Sequence, residues 1–199
     1  MLKLVTSVLF VILLGLSGCH RKGNFDAGLQ AYERNDYPAA LKEFKPLAES
    51  GHVEAQYYMG HMYLTSKGVP VDDVQMVRWF RKAAEQGHAK SQSRLGELYV
   101  YGSGVRTNFA EAANWFLKAA DQGDVDALVS LAYLYDAGTG VKKDQEASFA
   151  LYSLARSRDP SKGDETLFSK MTAEQFAAGQ ALADRMSAPG TISKVLAQR

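Results

Sequence analysis

Two hydrophobic patterns divide the chain. Leu4 to Leu16 is an uncharged, largely apolar run, LVTSVLFVILLGL, preceded by Lys3 and followed by the small residues Ser17 and Gly18. That is the layout of a secretory signal peptide, and its 13 residues fall short of the roughly 18–20 that cross a bilayer as a helix. From Phe25 onward apolar residues return at every third or fourth position, the period of an amphipathic helix, and glycine interrupts them at regular intervals.

Those intervals are a repeat. Val53–His88 and Ala89–Asp124 align without a gap, and 12 of their 36 positions are identical, among them Gln56/Gln92, Gly60/Gly96, Tyr63/Tyr99, Gly68/Gly104, Trp79/Trp115, Phe80/Phe116 and Gln86/Gln122. A third copy begins at Val125, with Ala132, Tyr135, Gly140, Val141 and Tyr152 at the same offsets, and a shorter copy precedes them, Phe44, Ala48, Gly51 and His52 matching Phe80, Ala84, Gly87 and His88. A unit of this length that cannot bury its own apolar face has to stack on its neighbours.

Each copy reads as two helices around a glycine loop. The first, near Glu54–Ser66, places Ala55, Met59, Met62 and Tyr63 on one face. Gly60 inside it costs about 1 kcal/mol of helix propensity, and its recurrence at Gly96 points to a close helix approach. Gly68-Val69, Gly104-Val105 and Gly140-Val141 turn the chain, with glycine free to take positive φ and valine placed to plug the pair. Asp72-x-x-Gln75 and Asn108-x-x-Glu111 fit the capping box that opens a helix, Asp144 supplies half of that device, and Gly87 and Gly123 end the second helices. Their bodies carry Val77, Phe80, Ala83 and Ala84, then Ala113, Phe116, Ala119 and Ala120, with Trp79 and Trp115 beside them. The third copy has Leu151 for the tryptophan and Asp159-Pro160 for the closing glycine, as a terminal repeat does when it closes a core against water. Asp164–Lys170 and a helix over Thr172–Met186, opened by the box Thr172-x-x-Gln175 and striped with Phe176, Leu182 and Ala183, are expected to complete that closure.

The run Ala-x-x-x-Leu/Met-Gly-x-x-Tyr, Gly-Val, Asp/Asn, Trp-Phe-x-Lys-Ala-Ala-Glu/Asp-Gln-Gly resembles the Sel-one-like repeat, a relative of the tetratricopeptide repeat. The resemblance implies an all-α fold, a right-handed superhelical solenoid of antiparallel helix pairs. Phe25–His52 is closer to the tetratricopeptide form through Gly28, Ala40, Phe44 and Leu47. Leu16-Ser17-Gly18-Cys19 resembles the lipobox of bacterial lipoproteins, which implies cleavage before Cys19 and lipidation of that residue. Several acyl chains, at about 0.8 kcal/mol per buried CH₂, would anchor the chain stably. His20, where an aspartate would retain such proteins at the inner membrane, implies the outer membrane, facing the periplasm. The expected organisation is a leader over 1–18, a lipidated tether over 19–24, repeats over 25–52, 53–88, 89–124 and 125–159, closing helices over 160–187 and a flexible tail over 188–199.

Composition narrows the function. The 199 residues are 46% hydrophobic and 23% charged, the balance of one folded domain or a short array. With 23 basic against 22 acidic residues no strong field draws nucleic acid. The single cysteine, Cys19, excludes an intrachain disulfide. Gly102-Ser103-Gly104-Val105 lacks the preceding strand of a phosphate-binding loop. His52 and His88 recur at one repeat position, and stacked helix layers are roughly 8–10 Å apart, too far to share a metal whose ligands sit about 2.1 Å from it. They read instead as polar residues at helix C-termini. No catalytic constellation is evident, and no metal or cofactor is expected.

What remains is shape. The first helix of each pair lines the inner surface of such a solenoid. With Gly60 as register, that surface presents Tyr57, His61 and Leu64, then Ser93, Glu97 and Val100, then Val129, Tyr133 and Asp136. The expectation is a monomeric, non-enzymatic envelope lipoprotein that binds another protein or peptide there. A cell-wall-associated enzyme that binds or hydrolyses β-lactams or peptidoglycan, and an immunity or inhibitor protein, are the alternatives.

Overall fold

The computed structural model describes residues 23–162 and 171–199; the leader, Cys19 and the segment 163–170 lie outside the described residues. Within them the chain forms α1 (Phe25–Glu33), α2 (Tyr37–Glu49), α3 (Val53–Leu64), α4 (Asp73–Glu85), α5 (Ala89–Tyr101), α6 (Phe109–Asp121), α7 (Val125–Ala137), α8 (Gln145–Arg158), α9 (Ala173–Met186) and α10 (Ile192–Leu196), with no strand among the described residues. From α1 to α9 each helix packs on the one before and the one after it. The result is the expected all-α solenoid of helix pairs, offset by 36 residues from α3 onward.

Side-chain caps set the helix starts. Asp36, Asp72, Asn108 and Asp144 open the second helices, each accepting the backbone N–H three residues on, which satisfies one orphan donor of the first turn. The reciprocal half of the capping box expected at Asn108 is absent. The Asn108 N–H already donates to the Tyr99 carbonyl at 2.9 Å, and Asp144 N–H to Tyr135 in the same way, so the cap tethers the second helix to the first. Asp72 likewise makes only the forward bond, to Gln75 N–H. The full reciprocal box forms at Thr172–Gln175.

Glycine and phenylalanine lock the pairs α1–α2, α3–α4 and α5–α6, whereas the third copy has Ala132 and Tyr152 at these offsets. A Cβ at Gly60 would fall 2.8 Å from the Phe80 ring, and one at Gly96 2.7 Å from Phe116. Gly28 sits on Phe44 and Gly179 on Phe149 in the same manner. The loop glycines serve a second contact: at Gly104 (φ +68°) an added Cβ would meet the Asp73 carbonyl, and at Gly140 (φ +74°) the backbone of Phe109. Each loop thus lies against the start of the second helix one repeat earlier, while Val69, Val105 and Val141 plug the adjoining cores.

A polar ladder runs through the interior between repeats. Buried Gln56 donates to the Ala48 carbonyl of the preceding copy (3.1 Å) and accepts from Gln86 Nε2 (2.7 Å). Gln92 repeats this with Ala84 and Gln122 at the same distances. The third copy places Leu128 at this offset, fully buried in an apolar core.

The far end differs from the expected tail. Residues 188–199 are docked: Ile192, Val195 and Leu196 of α10 are buried in the core formed with α6 and α9. Gly190 N–H and Ser193 N–H donate to the Asp121 carbonyl and carboxylate. Arg199 bonds Asp144 and Glu146 at the start of α8, with Nη2 2.6 Å from the glutamate. This docking accounts for the third copy's departures. Leu151 and Leu154 stand where the other copies carry tryptophan and lysine, and both are buried in the core shared with α9 and α10. In the other two copies the tryptophans are buried beneath a lysine, Lys82 lying 4.8 Å above Trp79 and Lys118 4.0 Å above Trp115. Of the expected closing stripe, Leu182 and Ala183 are buried, but Phe176 is half exposed beside Phe149. The tether is also shorter than expected, since Gly23 rests against Glu43 and Leu47 and Asn24 caps α1.

Candidate functional site

The first helices of the pairs carry an aromatic and charged stripe, with contacts running from α1 through α3 to the start of α5 and α7 presenting Tyr133 and Asp136 at the same offsets. On α3, Tyr57 lies beside His61, with ring centroids 6.1 Å apart, and against His88, 4.9 Å away at the start of α5. The Tyr32 hydroxyl of α1 sits 2.7 Å from His61 Nδ1, and Lys67 lies over the Tyr32 ring at 5.4 Å. On α5, Arg94 pairs with Glu97 at 2.7 Å, both side chains partly exposed. Burial lowers the His61 pKa, and the charges of Lys67 and Arg94 lower it further. Arg94 in turn feels Tyr57 on α3 and Asp126 on α7, so neighbouring repeats share one electrostatic surface.

Most of the expected surface residues lie here, one does not. Tyr57, His61, Glu97 and Asp136 are half-buried, Leu64 and Tyr133 are exposed. Val100 and Val129 are partly accessible and pack on the core. Ser93 is a correction: it is 5% exposed, and a serine lacks the length that carries Tyr57 outward from the same offset. Its neighbour Arg94 supplies the surface instead. Tyr32, Lys67 and Arg94 are thus stripe residues that repeat register alone does not mark. The signal was present in Arg94, a cation three residues from Glu97 on one helix.

The histidines also differ from expectation. His52 and His88 are N-caps of α3 and α5, not C-terminal residues: each Nδ1 accepts a backbone N–H, from Ala55 and from Ser91, at 3.2 Å. Asp124 takes the same role ahead of α7. Gly102 and Gly138 end α5 and α7 in the left-handed conformation, which accounts for the glycine-rich loops as turns.

The Sel1 repeat family model matches residues 53–88, 89–124 and 125–160, more than half of the chain. The chain belongs to the Sel1 repeat family. Among solved structures, it is similar to a Sel1 repeat protein from Oxalobacter formigenes, at 30% identity and a TM-score of 0.65 over 73% of this chain and 58% of that one. It is also similar to c5321, a protective antigen of uropathogenic Escherichia coli with this fold, at 25% identity and a TM-score of 0.58 over 87% of this chain and 46% of that one. The Sel1 protein here therefore spans about half the length of these solved relatives. No curated protein matches the sequence. Sel1 repeat proteins generally act as scaffolds for protein interaction.

Proposed function

We propose that this Sel1 repeat protein is a non-enzymatic scaffold of the bacterial cell envelope that holds another protein or peptide along the stripe on α3, α5 and α7. The observation that carries this reading is the stripe itself. It sets Tyr57 and His61 on α3 within electrostatic reach of Arg94, which pairs with Glu97 on α5, and the repeat offset extends it to Tyr133 and Asp136. Aromatic and arginine side chains of this kind supply most of the binding energy in protein interfaces, and helix-lined solenoid surfaces present them at fixed spacing. The partner would be an extended segment or a helix with apolar and charged side chains alternating along it.

Anchoring is the second part of the proposal. The lipobox-like Leu16-Ser17-Gly18-Cys19 supports cleavage and lipidation at Cys19, and the absence of aspartate after it supports the outer membrane, with the repeats facing the periplasm. Gly23 and Asn24 dock at the first repeat, so the lipid would hold that end of the rod and leave the stripe accessible. The stripe is tested by affinity capture with the wild type and a Tyr57→Ala, His61→Ala, Glu97→Lys, Tyr133→Ala variant. Loss of the captured partner with unchanged circular dichroism is expected; retention by the variant overturns the assignment. The anchor is tested by the intact mass of the exported protein, expected to begin at Cys19 and carry acyl chains, whereas an unmodified Cys19 overturns it.

A further inference from the structure

The joints that lead from a second helix into α3, α5 and α7 use one backbone design, a glycine at positive φ, and two cap chemistries, His52 and His88 against Asp124. At the joint into α5, the His88 ring lies against Tyr57 at 4.9 Å. Its Nδ1 accepts Ser91 N–H at 3.2 Å and sits 2.8 Å from Ser91 Oγ. Its Nε2 faces Glu54 at 3.4 Å. At the joint into α7, the Asp124 carboxylate accepts Ala127 N–H at 2.8 Å. An imidazole can accept at Nδ1 only while that nitrogen carries no proton. A carboxylate keeps its acceptors throughout the mildly acidic range.

We propose that the joint between α4 and α5 is an acid-sensitive hinge, opening at the first turn of α5 when the His88 cap takes up a proton, while the joint into α7 stays closed on Asp124. Protonation at Nδ1 removes the acceptor of Ser91 N–H and leaves that donor without its partner. It also places a positive charge on a helix N-terminus, where the macrodipole is itself positive. The charged groups around the ring are Glu54 on α3, Lys90 on α5 and Asp124 at the next cap, with Tyr57 against its face. Glu54 and Asp124 favour the imidazolium. Burial disfavours it more strongly, Lys90 adds to that, and the net effect keeps the His88 pKa below its usual 6.5. A histidine whose folded value lies below its unfolded one binds fewer protons when folded, so its stabilisation is full above pH 6.5 and is lost as pH falls through the folded value. Arg94 follows Ser91 by three residues on the same helix, so opening here loosens the stripe. That consequence rests on the proposed binding face; the hinge does not.

The test is amide hydrogen exchange of the full chain at pH 7.5 and 5.5, corrected for intrinsic exchange, on the wild type, His88→Asp and His88→Asn. Protection in the first turn of α5 is expected to fall in the wild type by at most about tenfold, because pH 5.5 lies one unit below the 6.5 of the freed imidazole. The first turn of α7 should hold constant, and both variants, whose caps need no proton-free ring, should show no fall in α5. Equal loss in α5 and α7, no loss in wild-type α5, or the wild-type fall persisting in both variants overturns the hinge. The readout needs no partner, so failure of the proposed binding face would leave it standing.

Discussion

Ser66 holds φ +54° in an exposed turn after α3, in the left-handed region where glycine stands at 102 and 138, the same offset in the next two repeats. A side chain there costs about 1 kcal/mol, so Ser66→Gly is expected to raise stability by about that amount in urea titration; an unchanged midpoint contradicts it. Ser148 poses the opposite problem. It is 1% exposed and its hydroxyl has no hydrogen-bond partner, where the other repeats place Met76 and Ala112. Ser148→Ala should stabilise the chain by about 1 kcal/mol, read as a higher melting temperature. At this scale the sequence was legible in part. Glycines, caps and phenylalanines recur and can be assigned by offset. The histidine caps could not, because histidine sits at either end of a helix and only the backbone N–H of Ala55 or Ser91 beneath its ring decides which.

Between elements, the Gly–Phe lock and the glutamine ladder define how one pair meets another. Gly96→Ala puts a methyl within 2.7 Å of the Phe116 ring, and crowding of this kind costs about 1–3 kcal/mol. Gly96→Ala combined with Phe116→Leu should recover part of that loss in chemical denaturation; a single variant as stable as the wild type would remove the lock. Gln92→Ala strands the Ala84 carbonyl that it now bonds, while the exposed Gln122 amide keeps the Lys118 carbonyl and water; the expected cost in urea titration is about 1–3 kcal/mol. Gln56 and Gln92 are identical positions of the aligned repeats, which by itself gives neither their burial nor their partners. A buried glutamine in an apolar stripe tells only that some partner exists, and the partner here is a carbonyl eight residues back at the end of the preceding copy.

Over the whole molecule, the C-terminal strap is the part that helical periodicity left out. Its apolar residues, Ile192, Val195 and Leu196, occupy too short a run to show a period, and the groove that receives them exists only once α6 and α9 are folded. Arg199 fastens it to Asp144. Burial drives that carboxyl upward, but the guanidinium and the α8 backbone N–H groups hold it below the usual 3.8. A carboxyl lowered on folding stabilises above its unfolded value and loses that contribution as pH falls through the folded one. Arg199→Ala should therefore cost about 0.5–1 kcal/mol at neutral pH, with the gap to the wild type closing as pH falls below 3.8, as followed by urea titration across pH; a gap that stays constant contradicts the ion pair. Of the departures of the third repeat, Leu151 and Asp159-Pro160 stand out in the sequence, and the structure sets Leu128 and Leu154 in the same core as Leu151. These leucines form the apolar bed on which the closing helices rest.

The central claim is that the surface of the first helices receives a partner. Site-specific photo-crosslinking in the envelope tests it most directly, with the reactive residue at Leu64 and Tyr133 on that surface and at Arg78 and Asn114, exposed positions of the second helices. The account predicts a common crosslinked product from Leu64 and Tyr133 and none from Arg78 or Asn114. A product from the second-helix positions alone would contradict it.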